Sequence, residues 1–458
     1  MNIQERAIQR PDLPDQAYEN LLDQIPVEIL GDIFLQCLPP ITSRPRRTTA
    51  PLLLCQVSRH WRQVAVSLPS LWSTVAIECF GWGRCRMKAE LLHVWLKRSA
   101  EVPLDISVEV KIGEFVHENL PHLSEIMRAI VAQMHRWKFL RLIRVPSNLL
   151  MDLPSTGAPL LREAIVQIHS GYSGAPQDLA LLFQNSPLLH SLTWQLGPYS
   201  AFQLFPILPW FKLSFIHFEC LLSIANCYDI LSRSPNLQSC YFESVSVNTP
   251  DLRQLSTSPI ILAFLHSFRI EASVNILPLL RTLTFPVLSS LVIESTGLHS
   301  RAAAHITSEI PNLLHRSNSP PLQTFVLENF GVEEKELIEC LILSPKLEAL
   351  VVCDESTRRP NLTDKVIRAL AVRKEYDDDT MLCPELKILK LTGRVQSTDG
   401  EFVNMIRQRW KETAVVNGVA CLKEVQVEFG SQGQTHELDI SGLKQLRSDG
   451  LLARAFFD

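Results

Sequence analysis

The sequence predicts an α/β protein: a small helical N-terminal segment, then an irregular solenoid with a parallel sheet along one side and helices along the other. Three observations predict it. Two amphipathic apolar patterns lie between Pro26 and Val64. Beyond residue 135 an apolar triple, at positions one, four and six, recurs at eleven places, its first residue running from Leu140 to Leu422 in ten steps of about 28 residues. In seven of these copies a proline stands two residues before the first leucine: Pro159, Pro187, Pro235, Pro286, Pro320, Pro345 and Pro384.

Composition sets the frame for these patterns. At 458 residues, 46% hydrophobic and 20% charged, the chain can bury a large core and lies outside the range of disordered proteins. A net charge of −4 does not point to nucleic acid as a partner. The first twenty residues lack an apolar signal core, and no run reaches the ~18 apolar residues of a membrane span. The expectation is therefore a protein of the cytoplasm or nucleus, bound neither to nucleic acid nor to membrane. The 11 cysteines are odd in number and never spaced CxxC, so they read as reduced thiols rather than a disulfide framework or zinc site.

Residues 1–19 are polar and read as a flexible tail. From Pro26 the residues Ile29, Leu30, Ile33, Phe34 and Cys37 fall on one helical face. Pro26 suits the first turn, Glu28 complements the helix dipole there, and Pro39-Pro40 ends the helix. After a basic loop at 41–50, a second helix starting at Pro51 is expected to carry Leu54, Val57, Trp61 and Val64 along one stripe. Leu71-Trp72 and a strand over 74–77 close a unit whose own core is marginal, and such a unit needs a partner.

The stretches IPVEILGDIFLQCLPP and PLLLCQVSRHWRQVAVSLPSLWSTV, together residues 25–77, resemble the F-box in the form abundant among mushroom-forming (basidiomycete) fungi. The matching features are Ile25-Pro26, Glu28-Ile29-Leu30, Ile33-Phe34, Val57, Trp61-Arg62 and Leu71-Trp72; the departures are Ile rather than Leu at 25 and the long basic insert. The following segment LLHVWLKRSAEVPLDISVEV, from Leu91, resembles the helix and strand after the F-box in the same group and places a joint near residue 80. The domain plan is thus a tail at 1–19, an F-box at 20–80, a repeat solenoid at 81–430 and a C-terminal cap at 431–458. The resemblance implies that Ile25, Pro26, Glu28, Ile29, Ile33, Phe34 and Val57 meet a Skp-family adaptor, which links to cullin in a ubiquitin ligase. The chain would then hold a target protein and contribute no chemistry of its own, needing no cofactor. The alternative is a repeat scaffold that binds protein without a ligase role.

A short strand followed by a helical or irregular return of about 20 residues is the leucine-rich-repeat unit. Stacked units leave one face of the sheet open for binding. If positions one, four and six face the core, position seven points outward. Five consecutive copies place a glutamate there: Glu219, Glu243, Glu271, Glu294 and Glu328. At ~4.8 Å strand spacing these would form a row of like charges, each repelling its neighbour by up to ~1 kcal/mol in water. The functional expectation is a target with a basic segment lying along the row beside His217, Tyr241 and Arg269. The alternative is a set of glutamates splayed into water or paired with neighbouring side chains.

No nucleophile motif, phosphate loop or metal-ligand spacing stands out. Gly171-Tyr172-Ser173-Gly174 has the wrong spacing for a nucleophile elbow, Gly81-Trp82-Gly83 lacks a third glycine, and Asp377 to Asp379 reads as a solvated acidic turn.

Overall fold

The computed structural model describes residues 25–40, 45–79, 84–111, 116–150, 153–168, 177–196, 208–247, 258–296, 308–329, 333–353, 362–372, 382–430 and 435–457. The expected tail at 1–19, the glycine motifs at 81–83 and 171–174 and the acidic turn at 377–379 lie outside the described residues. The fold is α/β, with a long run of parallel strands and helical returns, as a solenoid requires. The chain divides into two compact units, Met1–Ala129 and Ile130–Asp458, so the division falls well after the joint expected near residue 80.

In the first unit, helix α1 (Val27–Gln36) leads to α2 (Leu54–Val57) and α3 (Arg59–Ser67), both shorter than the single helix expected from Pro51. Ser58 causes the break. Its backbone is extended (φ −150°, ψ 170°) and its hydroxyl accepts the Trp61 amide at 3.1 Å, making it the N-cap of α3. Strand β1 (Thr74–Cys79), α4 (Arg84–Arg98) and β2 (Leu104–Val110) follow, and β1 pairs with β2 in parallel. The strand expected to close the helical segment is therefore paired with the strand that follows α4. Trp72 anchors this unit: its indole donates to the Ala65 carbonyl at 2.7 Å and meets Trp95 edge-on at 4.7 Å. Helix α5 (Val116–Val131) completes the first stretch.

The second unit alternates strands with returns. It begins with β3 (Trp137–Val145), β4 (Glu163–Ile168), α6 (Gln177–Gln184) and β5 (Ser191–Leu196). Next come β6 (Phe215–Ser223), α7 (Ile224–Arg233), β7 (Ser239–Val247), the short β8 (Ile260–Ile261) and β9 (Ser267–Ala272). Then follow α8 (Leu277–Leu280), β10 (Leu283–Thr284), β11 (Ser290–Ser295), α9 (Glu309–Arg316), β12 (Thr324–Glu328), α10 (Glu334–Ile342) and β13 (Ala349–Cys353). The last stretch is α11 (Asp364–Leu370), β14 (Ile388–Val395), α12 (Glu401–Gln408), α13 (Lys411–Val416), β15 (Glu424–Phe429), α14 (Glu437–Ser448) and β16 (Leu452–Phe457). Apart from β8 and β10, which pair with each other, these strands lie in chain order in one parallel sheet.

The proline phase has a local cause. In Ser186-Pro187-Leu188-Leu189, the Leu189 amide donates to the Ser186 carbonyl at 3.3 Å, and the same bond joins Leu237 to Ser234, Leu347 to Ser344 and Leu386 to Cys383. Each is a β-turn with proline second, where its fixed φ costs nothing, and the leucine that closes the turn enters the strand. From Leu161 onward the leucine at position one is fully buried in every copy. Phe218 stacks on Phe242, and Phe242 meets Phe268 edge-on, each pair at 6.4 Å between ring centres.

One expectation needs correction. The first copy is out of phase: Leu140 pairs with Ala164 and Leu142 with Val166, so Leu140 holds position four and Trp137 position one. All of Leu140, Leu142, Ile143 and Val145 are buried, and a bulge at Arg144 (φ 55°) brings the extra residue inward, which disguised the phase. Within the stretch expected as a C-terminal cap, 431–458, lie α14 and β16, with Val425 paired to Ala453 and Val427 to Ala455.

Gly157 shows how tightly the returns pack. Its φ is +78°, and a Cβ there would run into the Asn185 carbonyl. Gly157→Ala is expected to lower stability by about 2 kcal/mol or more, read as a lower urea midpoint with unchanged slope; an unchanged midpoint would contradict the packing described.

Candidate functional site

Two surfaces carry the expected site residues, one in each unit. In the first, the stripe on α1 is split by its own packing. Leu30 and Phe34 are fully buried, and the Phe34 ring meets Trp61 at 4.9 Å. Ile29 (53% exposed) and Ile33 (44%) lie one residue back on the helix and face outward. Pro26 and Glu28 are exposed and Ile25 is partly so. Val57 (53%), on α2, is exposed as well, and α1 and α2 both pack against α3. Phe34 is therefore corrected from a surface contact to a core residue. A face spanning Ile29, Leu30, Ile33 and Phe34 is too wide to be wholly inside or outside, and the two larger turns of the wheel went to the core. Val27 and Leu53 add to the exposed apolar groups nearby in sequence.

In the second unit the eight expected residues sit on β6, β7, β9, β11 and β12, in register except that the β7–β9 pairing shifts just past Phe242, so Glu243 and Glu271 are not a ladder pair. Glu219 pairs with Glu243, Glu271 with Glu294, Glu294 with Glu328, and His217 with Tyr241, itself opposite Arg269. The row is real, but its members are not splayed into water. Glu243, Glu271 and Glu294 expose only 27%, 20% and 17% of their side chains. His217 Nε2 lies 2.8 Å from Glu243 Oε1, and the imidazole stands 5.6 Å from the Tyr241 ring. Arg269 bridges two strands, donating to Glu271 at 2.8 Å and to Glu294 at 3.1 Å. Glu219 and Glu328, at the ends of the row, make no hydrogen bond or ion pair among the described residues.

The electrostatics follow, among the described residues, from five row carboxylates set beside the Arg269 guanidinium. Burial pushes the Glu219 carboxyl up, Glu243 and Glu271 push it further, and His217 opposes them. Burial also raises Glu294, to about 7, because Arg269 lowers it less than burial, Glu271 and Glu328 together raise it. Burial opposes the charge on Arg269, but hydrogen bonds and attraction from Glu271 and Glu294 outweigh it and raise its pKa. Glu294 therefore binds a proton more tightly folded than at the ordinary 4.5, so its contribution to stability is full below about 4.5 and is lost as pH rises through about 7. Glu294→Gln keeps an acceptor for Arg269 and removes this titration. The variant is expected to gain urea stability over the parent at pH 8 and to lose that advantage at pH 5; equal differences at both values would contradict it.

A third cluster was not read from sequence. Asp399, His436 and Asp439 hold their ligand atoms within 4.8 Å of one another. Their oxygens are engaged: Asp399 accepts the Leu438 and Asp439 amides at 3.0 Å, and Asp439 accepts the Val403 amide at 2.8 Å. The two carboxylates thus cap α14 and α12 reciprocally, and His436, stacked on Phe429 at 4.0 Å, buttresses them. Asp364 and Glu334, on the helices one and two before α12, likewise accept backbone amides of the following segment, from Thr398 and Val366. An aspartate or glutamate beside each helix start was the available signal. The described cysteines are free thiols, and burial pushes Cys383 up to about 12, so it has no nucleophilic character.

No protein-family model matches the chain, and no curated protein matches it in sequence. Among the described residues, no helix is long and apolar enough to cross a membrane.

Proposed function

We propose that the chain is a substrate-recruiting subunit of a cullin-type ubiquitin ligase, acting in the cytoplasm or nucleus and carrying no catalytic centre. The N-terminal helices act as an F-box that docks a Skp-family adaptor. The parallel repeats act as leucine-rich repeats that hold the target. The observation that carries the reading is the outward set Ile29, Ile33 and Val57, exposed on helices whose opposite sides bury Leu30, Phe34 and Leu54. Isoleucine left in water on so small a helical unit favours a partner, since burying each such side chain contributes about 1.5–3 kcal/mol.

The target face is the acidic row. Among the described residues Glu219 and Glu328 have no ion-pair partner and Arg269 serves two carboxylates, so a lysine- or arginine-rich segment would relieve the remaining repulsion. The ligase role is one of proximity, holding a target lysine near activated ubiquitin. Co-expression with a fungal Skp-family adaptor tests the reading: the two should co-purify at equal stoichiometry. An adaptor that passes through while the chain stays folded would leave a repeat scaffold without ligase function.

A further inference from the structure

The end of the sheet carries a second surface, opposite in sign to the acidic row and independent of the adaptor. Strand β16 pairs along one edge with β15 and has no strand on its other edge among the described residues. The Leu452 amide donates to Lys423, so the alternate residues Ala453 and Ala455 face the free edge; the Ala453 amide donates to the Leu451 carbonyl at 2.9 Å, which leaves the Ala455 amide and the two alanine carbonyls for a further strand. Inward positions that carry Val425 and Val427 in β15 carry only Ala453 and Ala455 here. The result is a groove of about 590 Å³ between α14 and β16, floored by Leu443 and the two alanines. Lys444, Arg447 and Arg454 rim it, all three exposed and without a hydrogen bond or ion pair from their side chains among the described residues.

We propose that this free edge and groove dock an extended, acidic segment of a partner protein, which adds to the sheet as a further strand. Backbone bonds to the free edge supply binding energy, and apolar side chains at alternate positions fill the space the alanines leave. Carboxylates on the segment meet the three cations. A second copy of this chain is the wrong occupant, because pairing β16 with itself about a two-fold axis would bring Lys444, Arg447 and Arg454 of both copies together. The rim also repels the basic segments suited to the acidic row, so the two surfaces select opposite partners.

The test uses the full chain and a short fluorescein-labelled peptide of alternating valine and glutamate, followed by fluorescence anisotropy. Binding is expected, with an Arg447→Glu, Arg454→Glu variant weaker by about tenfold or more. The same peptide N-methylated along one edge should not bind, a result that requires no variant to fold. A valine and lysine peptide should not bind the parent. Failure of the acidic peptide to bind, binding indifferent to charge reversal, or binding indifferent to N-methylation would each overturn the proposal. So would a concentration-dependent dimer in sedimentation that the peptide does not dissociate.

Discussion

Replacing Arg409 with leucine is expected to lower the stability of the repeat unit by on the order of 3 kcal/mol, seen as a large fall in its urea midpoint. The side chain is fully buried and, among the described residues, has no carboxylate partner. Its guanidinium instead donates to the carbonyls of Leu370 at 2.8 Å, Cys383 at 2.9 Å and Leu382 at 2.6 Å. Burial lowers its pKa, so the charge is held only because these three dipoles replace water. On substitution Cys383 keeps the Leu386 amide, but Leu370 and Leu382 lose the donor Arg409 supplies. The site also explains an irregularity of the repeat. Before Leu422 there is no proline, and the Leu422 amide closes on the Arg409 carbonyl rather than on the residue three before it. Arg409 thus stands where the serine-proline turn stands in other copies, tying the strand entry to the preceding return. A midpoint shift below about 1 kcal/mol would show that this pin is dispensable.

An Ile29→Asp, Ile33→Asp double variant is expected to weaken adaptor binding by about a hundredfold or more while leaving the fold intact. Two apolar contacts worth about 1.5–3 kcal/mol each are lost, and two carboxylates enter an apolar interface. Both positions are already exposed, so substitutions there cost the isolated chain little. Phe34 gives the opposite outcome. Phe34→Ala is a core deletion against Trp61 and Leu30, costs about 3–5 kcal/mol, and loses binding by unfolding. A Val415→Asp, Val416→Asp variant, at two exposed apolar residues of α13, controls for loss of surface hydrophobicity as such and should bind like the parent. Equal loss in that control would remove the N-terminal helices from the account.

The repeat was legible because its signal is redundant. Position one is fully buried in each copy from Leu161 onward, and the proline marks the turn just before it, so either pattern checks the other. The copies at Leu213, Leu265 and Leu422 lack the proline and still read correctly from position one, so the reading slips only where both signals weaken. The copy at Leu140 lacks the proline and has four apolar residues in six, and its phase slipped by three. Strand β16 has alanine where the pattern demands a larger residue, so the apolar triple does not mark it. The glutamate row was placed correctly because strand alternation fixes which side chains share a face. Its ion pairs were not legible, since they depend on how far Arg269 reaches between neighbouring strands. On α1, periodicity found the apolar stripe but could not say which half faced inward, and that depended on where α3 packs.

Hydrogen exchange on the full chain, with and without saturating Skp-family adaptor, locates the interface most directly. Slowed exchange over residues 27–36 and 54–57, with the strands of the repeat unit unchanged, is the predicted result. Protection confined to the strands, or none anywhere, would contradict the proposal that the exposed face of Ile29, Ile33 and Val57 is where the adaptor docks.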